Sequence, residues 1–303
     1  MPKRELIQKI ETLKAQRGAV ILAHNYQPPE IQDVADRLGD SLDLSRYAAS
    51  TPEKVIVFCG VHFMAETAAI LSPEKKVILP DPSAGCPMAE MLCAEDLVAL
   101  KKKHPDSVVI TYVNSTADVK AETDICCTSA NAVHIVQAVP AEKKIIFGPD
   151  KYLGGWVARQ TGREMILWQG YCPSHQKIYP DQIRELRKKH PDAAVMVHPE
   201  VNPEIAALAD AVLGTGGMIR YVEDSPAKTF IVGTEVGMVY RLKKRWPDRE
   251  FLPASRHALC PNMKKITLEK IATSLEKLDP VITVPREIAD RARRAIRAMI
   301  ETA

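Results

Sequence analysis

No run of about 18 consecutive apolar residues occurs anywhere in the 303-residue chain, so no segment is expected to cross a bilayer as a helix. Charge of one sign is also scarce: 41 Lys and Arg against 38 Asp and Glu leave only +3 at pH 7. That balance is too mild to argue for nucleic acid. The basic clusters Lys101–Lys103 and Lys243–Arg245 lack aromatic company and read as solvated helix ends. The opening stretch MPKRELIQKIETLKAQRG has no apolar core of leader type. It reads as an amphipathic helix with Leu6, Ile10 and Leu13 on one face, and a cytoplasmic protein is expected. Seven cysteines, an odd count, argue against a disulfide scaffold, and none forms the close C-x₂-C pair of a zinc ribbon or finger. The thiols are therefore expected to be reduced, either packed in a core or bound to metal.

What is present is a spacing. Cys-Pro occurs at Cys86, Cys172 and Cys260, 86 and 88 residues apart, and the first also closes a block of 86 counted from residue 1. Short β-branched runs alternate with helical patterns throughout, which predicts a parallel sheet with crossover helices. Laid against the Cys-Pro blocks, the first strands (GAVILAHNY, DSVVITYVN, DAAVMVHPE) fall into register. Polar residues sit at their carboxyl ends: His24 and Tyr26, Tyr112 and Asn114, His198 and Glu200. A hydroxyl follows 17 residues after the first of each pair, at Ser41, Ser129 and Thr215, each expected as the N-cap of a helix. Third and fourth strands precede each Cys-Pro.

The reading is α/β: three similar α/β/α modules, each with a four-stranded parallel sheet, around a pseudo-threefold axis. Their expected bounds are 1–86, 87–172 and 173–260, with the tail 261–303 packed on the first. Ligands of open parallel sheets gather at the strands' carboxyl ends. Three modules would bring three thiolates, six polar side chains and three helix starts to one spot. Such thiolates suit an iron–sulfur cluster with one iron left open as a Lewis acid; the bland alternative is three loop cysteines in turns. Cys59, Cys93, Cys126 and Cys127 lack repeat partners and are not expected to bind metal. His62, His104, His134, His190 and His257 lack the registered placement and read as structural. Glu200 beside His198 is the best candidate general base, and Tyr26 could relay a proton.

These residues lie in stretches that resemble the quinolinate synthase family along almost the whole chain. They include LAHNYQPPEIQDVADRLGDSLDLS, GVHFMAETAAILSPEKKVILPDPSAGCPMAE, YVNSTADVKAETDICCTSANA, HPE, FIVGTEVGMVYRL and CPNMKKITLEK. The resemblance implies condensation of iminoaspartate with dihydroxyacetone phosphate to quinolinate, for pyridine-nucleotide synthesis, at a [4Fe–4S] cluster. Iminoaspartate would come from an aspartate oxidase or aspartate dehydrogenase. By position, Cys86, Cys172 and Cys260 would be the cluster ligands. His24, Ser41, the Tyr112-Val113-Asn114 segment, Ser129, the His198-Pro199-Glu200 segment and Thr215 would contact substrate. Tyr26, His198 and Glu200 would carry the chemistry. The chain departs from the family at Gln176, where a glutamate commonly follows the Cys-x-x-His, and at Leu213-Gly214-Thr215-Gly216, where the family tends to read Gly-Ser-Thr-Ser. An iron–sulfur hydro-lyase acting on a hydroxy acid, or a non-enzymatic iron–sulfur sensor or carrier, would also use three such cysteines. Neither would account for the long shared stretches.

Overall fold

The computed structural model describes residues 2–302. One order of elements, helix and strand in alternation, is repeated three times. The first module holds α1 (Lys3–Arg17), β1 (Ala19–His24), α2 (Pro29–Val34), β2 (Arg37–Gly39), α3 (Ser41–Ser50), β3 (Val55–Cys59), α4 (His62–Leu71) and β4 (Lys76–Ile78). The second holds α5 (Ala94–Lys103), β5 (Ser107–Tyr112), α6 (Ala117–Ala121), β6 (Ile125–Cys127), α7 (Ala132–Ala138), β7 (Lys144–Gly148), α8 (Lys151–Thr161) and β8 (Ile166–Leu167). The third holds α9 (Pro180–Lys189), β9 (Ala194–Val197), α10 (Pro203–Ala207), β10 (Ala211–Val212), α11 (Thr215–Asp224), β11 (Thr229–Gly233), α12 (Gly237–Arg245) and β12 (Glu250–Pro253). Two further helices follow, α13 (Leu268–Lys277) and α14 (Arg286–Glu301).

Each sheet is four-stranded and parallel, with order β2-β1-β3-β4, β6-β5-β7-β8 and β10-β9-β11-β12. The expected three-sheet α/β class is the one observed. The central strands need apolar residues on both faces, because helices cover both; all six residues of β1 are buried. One device recurs in every module. An aspartate just before the second strand accepts a hydrogen bond from the first strand: Asp36 from Ile21 N at 2.8 Å, Asp124 from Val109 N at 2.8 Å and Asp210 from Val195 N at 2.7 Å. It satisfies backbone donors at the strand edge that would otherwise be orphaned.

One buried apolar cluster runs through all three modules, from Leu22 and Phe58 through Phe147 to Phe230. The tail divides. α13 lies against α1, whereas α14 lies against α6, β6 and α4, and so joins the first two modules. Lys101–Lys103 and Lys243–Arg245 form the last turns of α5 and α12, where cations face the negative end of the helix. Among the described residues, no helix is long and apolar enough to cross a membrane.

The expected hydroxyl caps are not what the structure builds. Ser41 and Thr215 are the first residues of α3 and α11, behind Asp40 and Gly214, and Ser129 precedes the Asn131 that flanks α7. Asp40 takes the capping role in the first module because its carboxylate accepts from both Leu42 N and Asp43 N at 2.9 Å. The hydroxyls are thereby left for other partners.

Candidate active site

A 2-1-3-4 strand order reverses direction between the first and third strands, and that switch point opens a crevice at their carboxyl ends. The three crevices merge into one cleft of about 710 Å³, its mouth included. His24, Tyr26 and Ser41 enter from the first module, Tyr112, Asn114 and Ser129 from the second, and His198, Glu200 and Thr215 from the third. Cys86, Cys172 and Cys260 line it as well. Two expected residues do not line it. Val113 packs into the apolar core, since neighbours in extended chain point to opposite sides. Pro199 likewise lies between two residues that do reach the cleft.

The three thiols bear on one another. Burial pushes Cys86 up to about 12, with Cys260 and Glu200 adding to the rise. Cys172 is pushed up by burial, then by Glu200 and Cys86; Cys260 is raised chiefly by burial. Three sulfurs sharing a cleft that disfavours their anions are the donor set a soft metal centre completes, because the metal's charge turns thiols into ligating thiolates. The remaining cysteines are elsewhere: Cys59, Cys126 and Cys127 are buried in strands, and exposed Cys93 caps α5 by accepting from Asp96 N.

Glu200 is the hub of the polar groups. It is buried, accepts from Tyr112 Oη at 2.7 Å through Oε1, and meets His175 Nδ1 at 2.8 Å through Oε2. His198 Nδ1 lies 3.8 Å from Oε1, its ring stacked on His175 with centroids 4.8 Å apart. Burial works against the Glu200 anion, but the two imidazoles and the hydrogen bonds hold its carboxyl below the ordinary range. On the far side of His175, Nε2 lies 2.9 Å from Thr234 Oγ1, and that hydroxyl lies 2.6 Å from Tyr26 Oη. A carboxylate at Nδ1 fixes the proton there, so Nε2 accepts from Thr234 and Thr234 accepts from the Tyr26 phenol. One run of hydrogen bonds therefore links Tyr26, Thr234, His175, Glu200 and Tyr112. Burial and the Glu200 charge push both phenols well above 10, which keeps them protonated.

His175 and Thr234 were not singled out by the repeat reading. The signal for Thr234 was available, since it directly follows the third strand of its module, as Gly60 and Pro149 do in theirs. His175 stands three residues after Cys172, a local spacing that the search for repeats passes over. The two family departures also have physical accounts. Gln176 Nε2 donates to the Glu200 carbonyl at 3.0 Å, a bond that an ionised glutamate could not make. At Gly214 a Cβ would stand 2.6 Å from Ser129 Oγ, and at Gly216 one would stand 2.7 Å from Asp40 Oδ2. Glycine there lets the start of α11 close on the other two modules. Thr215 Oγ1 meanwhile accepts from Asn25 Nδ2 at 2.9 Å.

His24 is held down to about 3 by burial and by His198, and His198 to about 4 by burial and by His175, so both rings are neutral in the fold. The unfolded chain takes up these protons below its ordinary histidine value near 6.5, hence folding stability should fall as pH drops from there towards 4. Each ring contributes up to about 1.4 kcal/mol per pH unit. Thermal melts of the metal-free chain between pH 7 and 4.5 check this; an unchanged Tm over that interval would mean that the rings are already charged in the fold.

The family model described as quinolinate synthetase A protein matches residues 8–301. A quinolinate synthase of Dehalococcoides mccartyi (strain CBDB1) is 55% identical over 298 residues, covering 98% of each chain. One of Desulforudis audaxviator (strain MP104C) is 52% identical over 296 residues, again with 98% of each chain covered. One of Methanosarcina barkeri (strain Fusaro / DSM 804) is 50% identical over 300 residues, covering 99% of this chain and 98% of its own. Those matches span all three modules and both tail helices together with the cleft they enclose, and the chain belongs to the quinolinate synthetase A family of enzymes.

Proposed function

We propose that the cleft condenses iminoaspartate with dihydroxyacetone phosphate to quinolinate, releasing one phosphate and two waters. Atoms balance with no electrons left over, so the site needs acid–base and Lewis-acid chemistry and no electron carrier. The observation that carries the reading is the buried run from Tyr112 through Glu200, His175 and Thr234 to Tyr26, set beside three thiols in one cleft. A sensor or electron carrier would have no use for such a run.

Cys86, Cys172 and Cys260 would hold a [4Fe–4S] cluster, which supplies Lewis acidity towards carboxylate, carbonyl or hydroxyl oxygens at the iron without a protein ligand. The chain's own residues do the rest. Glu200, ionised and buried, is the base that takes protons from the condensing carbons. Tyr26, kept protonated, is the acid that delivers a proton to a departing hydroxyl, and the run through Thr234 and His175 to Glu200 holds its phenol in place. His198 and His24, neutral in the fold, act as hydrogen-bonding groups. Together with Ser41, Tyr112, Asn114, Ser129 and Thr215 they hold the substrates' carboxylate and phosphate oxygens, and the start of α11 adds its backbone amides. We place the reaction in the cytoplasm, supplied with iminoaspartate by an aspartate oxidase or aspartate dehydrogenase.

The test is an anaerobic assay of the iron- and sulfide-reconstituted protein, supplied with dihydroxyacetone phosphate and iminoaspartate generated in situ. Quinolinate and phosphate in equal amounts, with about four irons per chain, are expected. A full complement of iron with no quinolinate would overturn the reading, and turnover of a single hydroxy acid without phosphate would replace it with a hydro-lyase. The run has its own test. Thr234→Val keeps the volume and removes the hydroxyl, so it should retain the iron–sulfur absorption while kcat falls about 100-fold. Unchanged kcat would mean that Tyr26 acts without Thr234.

A further inference from the structure

Beside Thr234 stands a carboxylate that the chemistry above does not use. Glu235 is fully buried at its side chain, an expensive place for a charge unless it is paired and hydrogen-bonded. It is both. Oε1 accepts from the Cys260 amide at 3.1 Å and pairs with Lys264 Nζ at 2.8 Å, while Oε2 accepts from Gly237 N at 2.7 Å. Lys264, in the tail just past the third module, also donates to the main-chain carbonyl of Tyr26, and so links Glu235 of the third module to the first.

The position recurs in the threefold register. Glu235 is two residues beyond β11, and Asp150 is two residues beyond β7. Asp150 is buried too; Oδ1 accepts from Tyr152 N at 2.8 Å and Leu153 N at 2.7 Å, while Oδ2 has no hydrogen-bond partner among the described residues. In the first module the equivalent residue is Val61, which brings no acid; the loop before Cys86 is held by His62 N to Ala84 O at 2.8 Å and by Lys265 Nζ to Ser83 O at 2.6 Å. Two of the three modules thus carry a buried acid at this position, and of the two it is Glu235 that bonds its own loop's cysteine amide and is joined through a lysine to the Tyr26 turn.

We infer that Glu235 and Lys264 are positioning residues that fix the Cys260 loop and the Tyr26 turn to each other, so that one buried ion pair sets the metal-ligating side of the cleft against its proton-transfer side. The inference rests on the reading of Cys260 as a metal ligand and Tyr26 as a proton donor. Glu235 holds the ligand loop through its amide; Lys264 neutralises Glu235 and ties the pair to the neighbouring module. A change at either member is felt at both ends.

The experiment loads wild-type chain, Glu235→Gln, Lys264→Met, Lys264→Arg and the double variant E235Q/K264M with ferrous iron and sulfide. It then follows loss of iron to a ferrous chelator from the visible absorption, and separates kcat from KM. Glu235→Gln and Lys264→Met should each speed iron loss about tenfold or more, with kcat lowered and KM little changed. Lys264→Arg should restore retention, and the double variant should lose iron no faster than the worse single one, because the two act as a unit. A double variant whose rate is the product of both single effects would overturn the inference, as would single variants that hold iron as long as wild type. A merely structural role would lower the melting of metal-free and loaded chains alike and leave the rate of iron loss unmoved, which also overturns it. Should Glu235→Gln fail to fold, the Lys264 variants decide, since that side chain is 21% exposed. A wild-type chain that takes up no iron would overturn the ligand reading and this inference with it; one that loads normally beside unaffected variants would overturn the pair alone.

Discussion

Cys172→Ala should give a folded but colourless chain that forms no quinolinate, and Cys86→Ala and Cys260→Ala should do the same. Each thiol comes from a different Cys-Pro loop, and no cysteine nearby can stand in: Cys126 and Cys127 are fully buried in β6, and Cys59 in β3. Two sulfurs would not retain the proposed three-cysteine cluster, so activity should drop below detection. All three thiols line the cleft, so their removal widens an existing space and opens no sealed cavity, and the metal-free chain should melt within a few degrees of wild type. Cys93→Ala is the control. That thiol is exposed and caps α5, so its loss costs at most about 1 kcal/mol, and iron, colour and turnover should persist. Iron and sulfide counts, the visible spectrum and the quinolinate assay on the four variants decide. A bleached Cys93→Ala beside a coloured Cys172→Ala would refute the ligand set.

Glu200→Gln should keep the colour and lose the chemistry, with kcat down about 10²- to 10⁴-fold. Both carboxylate oxygens accept, one from Tyr112 Oη and one from His175 Nδ1. A glutamine offers one acceptor and one donor, so it must set its amide N–H against one of these partners. It also removes the charge that keeps the His175 proton on Nδ1. With the proton free to move to Nε2, Thr234 must accept there instead of donating, and the ordered run from Tyr26 to the base is broken. Because Glu200 is proposed to act on developing charge, KM should move far less than kcat. The measurement is single-turnover quinolinate formation at matched iron content. Full activity in E200Q would show that the base lies elsewhere.

The three-sheet class and the position of the cleft were legible because both follow from short-range pattern. Apolar runs of strand length that alternate with helices dictate a parallel sheet, and a parallel sheet dictates where ligands collect. The 86- and 88-residue spacing of Cys-Pro then placed the same loop in each module, and His24, Tyr112 and His198 fell at strand ends by the same register. The aspartates at 36, 124 and 210 keep the register of those strand ends, 88 and 86 residues apart, and only their contact to the first strand reveals their purpose.

Fold class, repeat and the set of residues able to meet all follow from local pattern along the chain. Which atoms do meet was decided by the tertiary structure. Tyr26 reaches Thr234 across 208 residues, Tyr112 reaches Glu200 across 88, and Lys264 reaches Tyr26 across 238. No local propensity encodes such contacts. They arise when three separately patterned sheets dock on a common core and bury polar groups that must then find partners among themselves. The same holds for the helix starts, where Asp40 outcompetes Ser41 as a cap and frees the hydroxyl to face the cleft. A buried acceptor takes the strongest donors its surroundings bring within reach, and in this chain those surroundings are built from all three modules.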